Sequence, residues 1–84
     1  MKILGKNVFI RTLTCYYTGK VERITKNSIE LSTAAWIADT GRFHNALLTG
    51  VLNEVEPYPG NVLVQRNNIS DITEWKHELP RNQK

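Results

Sequence analysis

Apolar and polar positions alternate most regularly over residues 28–37. Ile29, Leu31, Thr33, Ala35 and Ile37 fall on one face of an extended strand, and Ser28, Glu30, Ser32, Ala34 and Trp36 on the other. The first set is expected to face the core, which leaves the Trp36 indole on the opposite face in need of a cover. Residues 7–13 (NVFIRTL) and 16–25 (YYTGKVERIT) are rich in β-branched and aromatic side chains and read as two further strands. Gly19 inside the second marks a bend, a bulge or a close backbone approach. Lys26-Asn27 reads as a turn, because Asn tolerates the left-handed region. Downstream, residues 51–55 predict a short strand, 57–61 (PYPGN) a turn, 62–66 (VLVQR) a strand, Asn67-Asn68 a tight turn and 69–75 (ISDITEW) a last strand.

The period changes between the third and fourth of these strands. Phe43, Ala46 and Leu47 stand at i, i+3 and i+4, which suits one or two helical turns. Asp39 or Thr40 is the expected N-cap and Gly50 the expected end. So short a helix is not stable alone and must dock on the strands. Five or six short strands separated by turn signals predict an all-β fold: a small five- to six-stranded barrel with a short helical insertion around residues 42–49. Closure is the expected way to remove edge strands. A single domain over residues 1–76 and a polar, partly loose tail over 77–84 complete the expected organisation.

Composition narrows the class. The chain has 84 residues, 40% hydrophobic and 23% charged, and one Cys. The apolar fraction excludes a disordered chain, and one Cys excludes a disulfide scaffold or a Cys-rich zinc site. No apolar run approaches the ~20 residues that span a bilayer. The apolar stretch of residues 1–6 is too short for a signal peptide, so a cytoplasmic protein with no membrane partner is expected. A domain of this size buries only about 60–65% of its unfolded surface, which favours self-association as a homo-oligomer.

Charge is more informative as a distribution than as a total of +3. Residues 1–26 carry six cations against one acid, residues 27–75 two against six, and residues 76–84 three against one. A basic first third can face phosphates or the acidic segment of a neighbouring copy.

Two stretches carry a family resemblance. Gly19-Lys20-Val21-Glu22-Arg23-Ile24 followed by Ser28-Ile29-Glu30-Leu31 resembles the first motif of the Sm-like (Lsm) barrels, and Val62-Leu63-Val64-Gln65-Arg66-Asn67-Asn68-Ile69 resembles the second. SH3-like barrels share the strand pattern. The resemblance implies an oligomeric barrel that binds RNA or a nucleotide through Asn27, Arg66, Asn67 and Asn68. Asn67 stands where that family has Gly, with the left-handed backbone expected to survive. The first motif's loop reads Thr25-Lys26-Asn27, in which only Asn27 matches. Residues 38–60 form an insertion between the motifs. The whole chain, residues 34–43 above all, also resembles small uncharacterised proteins of bacteria and their phages.

Chemistry-bearing residues point to binding rather than catalysis. Cys15 has no adjacent His or acid to activate it. His44 and His77 lack ligand spacing with each other or with Cys15. Asp39 near His44 can form an acid–base pair, but a helix-cap role is the simpler one. No glycine run cradles phosphate. No enzyme activity, cofactor or metal is therefore expected. Tyr16, Tyr17, Trp36, Phe43, Tyr58 and Trp75 are many rings for a small core, and base–aromatic stacking needs no sequence match. Arg guanidinium stacks on rings and forks onto phosphate, so Trp36 or Phe43 beside Arg42 and Arg66 would form a nucleotide pocket. The expected function is a non-enzymatic, oligomeric small-barrel protein binding RNA or a nucleotide. The alternatives are a phage- or mobile-element-encoded protein that sequesters a host nucleotide signal, and a protein–protein adaptor docking through Trp36 and residues 42–48.

Overall fold

The alternation of residues 28–37 breaks at Thr33. In the computed structural model, which describes residues 2–84, Thr33 has φ +50° and is exposed. The strands are β1 (Asn7–Thr12), β2 (Tyr16–Ile24), β3 (Ser28–Asp39), β4 (Glu54–Pro57), β5 (Val62–Gln65) and β6 (Ile69–Glu74). A helix, α1 (Phe43–Thr49), lies between β3 and β4, and a 3-10 turn, Arg66–Asn68, links β5 to β6. Across the β2–β3 ladder Lys20 pairs with Ser32 and Thr18 with Ala35, so Gly19 alone faces both Thr33 and Ala34. This is a β-bulge, and the extra residue reverses every later side chain. Ile29 and Leu31 join a first core cluster with Ala34, whereas Ala35 and Ile37 join a second. The single face expected for residues 29, 31, 33, 35 and 37 is thus two faces. Gly19 permits the bulge: a Cβ there would lie 2.9 Å from Leu31 Cβ and 3.2 Å from the Ser32 carbonyl oxygen.

The fold is mostly β, one six-stranded antiparallel sheet with one short helix. Its order is β4-β3-β2-β1-β6. The outer edge of β3 is shared, with β4 on Ala35–Asp39 and β5 on Ser28–Leu31. β5 pairs only with β3 and β6 only with β1, so the sheet is open where closure was expected. The 3-10 turn carries the chain from β5 to β6 without a ladder between them.

Both faces of the sheet are covered. The first cluster covers one side, termed inner, with Val8, Ile10, Val21, Ile29, Leu31 and Val64. The second lies on the outer side, where Phe9, Ile37, Val55 and Trp75 pack under Ala46 of α1, Leu52 and Leu79. That division explains why β1 reads as an unbroken apolar run: Val8 and Ile10 face one cluster and Phe9 the other. Phe43 at the start of α1 lies 5.9 Å from the Phe9 ring and 6.1 Å from Tyr16, which fastens the insertion to the sheet.

Local expectations are corrected in four places. The residue at the N-cap of α1 is Arg42, with no side-chain cap. Asp39 Oδ1 instead accepts the Gly41 N–H at 2.8 Å, and Thr40 Oγ1 donates to the Gly41 carbonyl. Gly50 does end the helix, left-handed at φ +78°, with its N–H on Ala46 O. The strand expected at 51–55 begins at Glu54, because Leu52 is drawn into the second cluster and Asn53 N–H bonds Asp39 O. Neither Asn27 nor Asn67 is left-handed; Thr33 is the sole non-glycine residue with positive φ among those described. The β2–β3 turn is held by Thr25, whose Oγ1 accepts from the N–H groups of Asn27 and Ser28.

The C-terminal segment is fastened rather than loose. Trp75 Nε1 donates to Glu78 O, Arg81 donates to Ala34 O and Tyr58 O, and the Val55 and Lys84 backbones bond each other in both directions. The opposed charges of the sequence meet within one chain, Arg11 with Asp71 and Arg23 with Glu30. Among the described residues no helix is long and apolar enough to cross a membrane.

Candidate functional site

The two turns that end β2 and β5 come together because β5 runs along the first half of β3. Ser28 pairs with Gln65 and Ile29 with Val64. The chain therefore leaves β5 beside the β2–β3 turn, and the Arg66 N–H donates to Asn27 O at 2.9 Å. The Arg66 guanidinium donates through Nη1 to Thr25 O at 2.8 Å. Asn27, Arg66, Asn67 and Asn68 all remain exposed. Their side-chain amides and the remaining guanidinium N–H groups are donors open to solvent, and Lys26 stands on the same turn as Asn27.

A cleft of about 310 Å³ opens beside this surface. Its walls are the β1–β2 connection (Thr12, Leu13, Thr14, Cys15), Tyr17, and Leu63 to Gln65 of β5, with Asn68 joining it to the 3-10 turn. The lining contains no charged side chain. Thr12 ties the connection: its Oγ1 donates to Cys15 O at 2.8 Å and accepts the Cys15 N–H at 3.2 Å. Leu13 is left 92% exposed at the rim and Leu63 55% exposed. Cys15 is buried, its Sγ 3.6 Å from Thr12 Oγ1. Tyr17 stacks on Tyr58 with ring centroids 6.4 Å apart. Burial, with the Cys15 thiol and the Tyr58 hydroxyl nearby, pushes the Tyr17 phenol above its ordinary value near 10.0. It therefore serves the cleft as a neutral ring and hydroxyl.

Of the seven residues singled out from sequence, the structure gathers Asn27, Arg66, Asn67 and Asn68. It does not bring Arg42, Phe43 and Trp36 to them. Phe43 packs on Phe9 and Tyr16 over the outer side of the sheet, with Arg42 beside it in the chain. Trp36 pairs with Tyr17 on β2 and Glu56 on β4, at the opposite end of β3 from Ser28 and the β2–β3 turn. Sequence reasoning missed Leu13, Thr14 and Gln65 as lining residues. The one signal for Leu13 and Thr14 was the break between the expected strands 7–13 and 16–25, and Gln65 had none.

No group of three or more His, Cys, Asp or Glu side chains that could hold a metal ion occurs among the described residues. Comparison with known proteins gives no match to a family model, a curated protein or a solved structure.

Proposed function

We propose that this chain is a non-enzymatic, cytoplasmic binding module of the Sm-like or SH3-like kind that assembles with copies of itself and takes single-stranded RNA or a nucleotide. The observation that carries this reading is the juxtaposition of Asn27 with Arg66, Asn67 and Asn68 across the Arg66 N–H to Asn27 O bond. Those residues come from the two stretches that resemble the paired motifs of Sm-like barrels. Their chemistry suits the ligand: guanidinium and Lys26 for phosphate, and amides for the hydrogen-bonding edge of a base. The uncharged cleft alongside, with the Tyr17 ring and the Gln65 and Asn68 amides, is wide enough for a base and free of the carboxylates that would repel phosphate. Assembly is supported by the open outer edges of β5 and β6, which offer unpaired main-chain groups to another copy.

NMR titration of the folded protein with a short single-stranded RNA tests the site. Shifts are expected at Asn27, at Arg66 to Asn68 and in the 12–15 connection. Shifts confined to the α1 side of the sheet, or none at all, contradict the proposal. Tight binding of one mononucleotide with little salt dependence favours sequestration of a small signal over RNA.

A further inference from the structure

The segment after β6 behaves as a bound peptide. It turns away from the sheet at Lys76, crosses the outer side and ends against β4, the strand at the far end of the order β4-β3-β2-β1-β6. Its contacts there are of three kinds. Leu79 packs on the second core cluster. The Arg81 guanidinium forks, Nη1 donating to Ala34 O at 2.8 Å and Nη2 to Tyr58 O at 3.0 Å. Lys84 then adds to the outer edge of β4 as a strand would: its N–H bonds Val55 O at 3.0 Å, the Val55 N–H bonds Lys84 O at 3.2 Å, and its Nζ donates to Leu52 O. An apolar anchor, a main-chain pair and a charged fork are the elements by which sheet edges recognise extended peptides.

The acceptors are built into the fold independently of the segment. Ala34 follows the Thr33 bulge, and its carbonyl already accepts the Tyr58 N–H at 2.8 Å, which fixes the end of β4 against β3. Val55 is buried in the second cluster. The groove is therefore formed by β3, β4 and Leu52, and residues 79–84 are its occupant.

We propose that the β4 edge is a docking groove for an extended segment of the pattern Leu-x-Arg-x-x-Lys, and that residues 79–84 of a second copy dock there in trans when the chain's own segment leaves. The contacts of the exchanged segment are the same in cis and in trans, so exchange costs little once the segment is released. In cis the tether supplies a high effective concentration, which keeps the groove filled by its own chain. This site lies apart from the Asn27 and Arg66 surface and stands or falls without it.

The test uses the full chain carrying Arg81→Ala and a fluorescent peptide of residues 76–84. Loss of the fork is expected to speed hydrogen exchange at the Val55 amide about tenfold or more, with the β1–β2 amides unchanged. The variant is expected to bind the peptide saturably, and more tightly than the wild-type chain does. A peptide with its own Arg81 replaced by Ala, or with the order scrambled, is expected to lose that binding. Unchanged exchange at Val55, or equal binding of the native and scrambled peptides, overturns the proposal. Should Arg81→Ala unfold the chain, Lys84→Ala removes only the Leu52 contact of the side chain and is read by the same two measurements.

Discussion

Thr33 holds a backbone conformation that a β-branched residue rarely adopts. Its side chain is exposed, so nothing in the core requires it. Thr33→Gly keeps the bulge and removes the strain, and is expected to raise stability by roughly 0.5–1 kcal/mol once glycine's extra chain entropy is deducted. Urea unfolding of the two proteins measures this, and a less stable glycine variant contradicts it. Tyr17 gives a second prediction at this scale. Its phenol binds its proton more tightly in the folded chain than in the unfolded one, chiefly because it is buried. The stability this contributes is complete below the unfolded value near 10 and is lost as pH rises through it toward the folded value. Melting temperatures are therefore expected to fall above about pH 10 more steeply in the wild type than in Tyr17→Phe.

Strands and turns were the legible part at the scale of elements. All six strands were expected from β-branched runs and turn residues, and the helix from the spacing of Phe43, Ala46 and Leu47. Two of the misplacements, at Ala35 and Ile37 and at Leu52, share a cause: local pattern does not reveal which residues are drawn to a second core. The bulge at Thr33 cannot be seen in an alternation that continues through it, so the pattern places Ala35 and Ile37 on the face of Ile29 and Leu31, whereas they lie on the other. The polar segment 77–84 gave no sign of docking, since its anchors are main-chain bonds, one leucine and one arginine. In the candidate site, Asn27 and Arg66 to Asn68 were legible because motif and turn coincide. Leu13 was not, because an exposed leucine in a hairpin connection has no distinguishing pattern. Phe43, expected in a pocket with Arg66, is the ring that docks α1. Truncation by Phe43→Ala is expected to cost about 1–3 kcal/mol, below the full core value because the ring is 38% exposed. It should leave RNA affinity unchanged. A change in affinity at constant fold, measured by titration, would return Phe43 to the binding surface.

For the molecule as a whole, the charge distribution has a partly internal explanation. Arg11 and Arg23 of the basic first third meet Asp71 and Glu30 of the acidic middle. Head-to-tail packing of copies is therefore not needed to satisfy those charges. The case for assembly rests on the open edges of β5 and β6. Native mass spectrometry is expected to show a multimer that dissociates when Pro is placed at Leu63 on β5, where the ring removes a main-chain donor. A wild type that remains monomeric at all concentrations contradicts assembly.

The central claim is binding of single-stranded RNA or a nucleotide at the Asn27 and Arg66–Asn68 surface. Fluorescence polarisation of a labelled short RNA at low salt, with wild type and Asn68→Ala compared, tests it most directly. The account predicts saturable binding by the folded wild type, weakened about tenfold in Asn68→Ala and weakened further by added salt. No binding by a well-folded wild type at low salt, or equal binding by the variant, would contradict it.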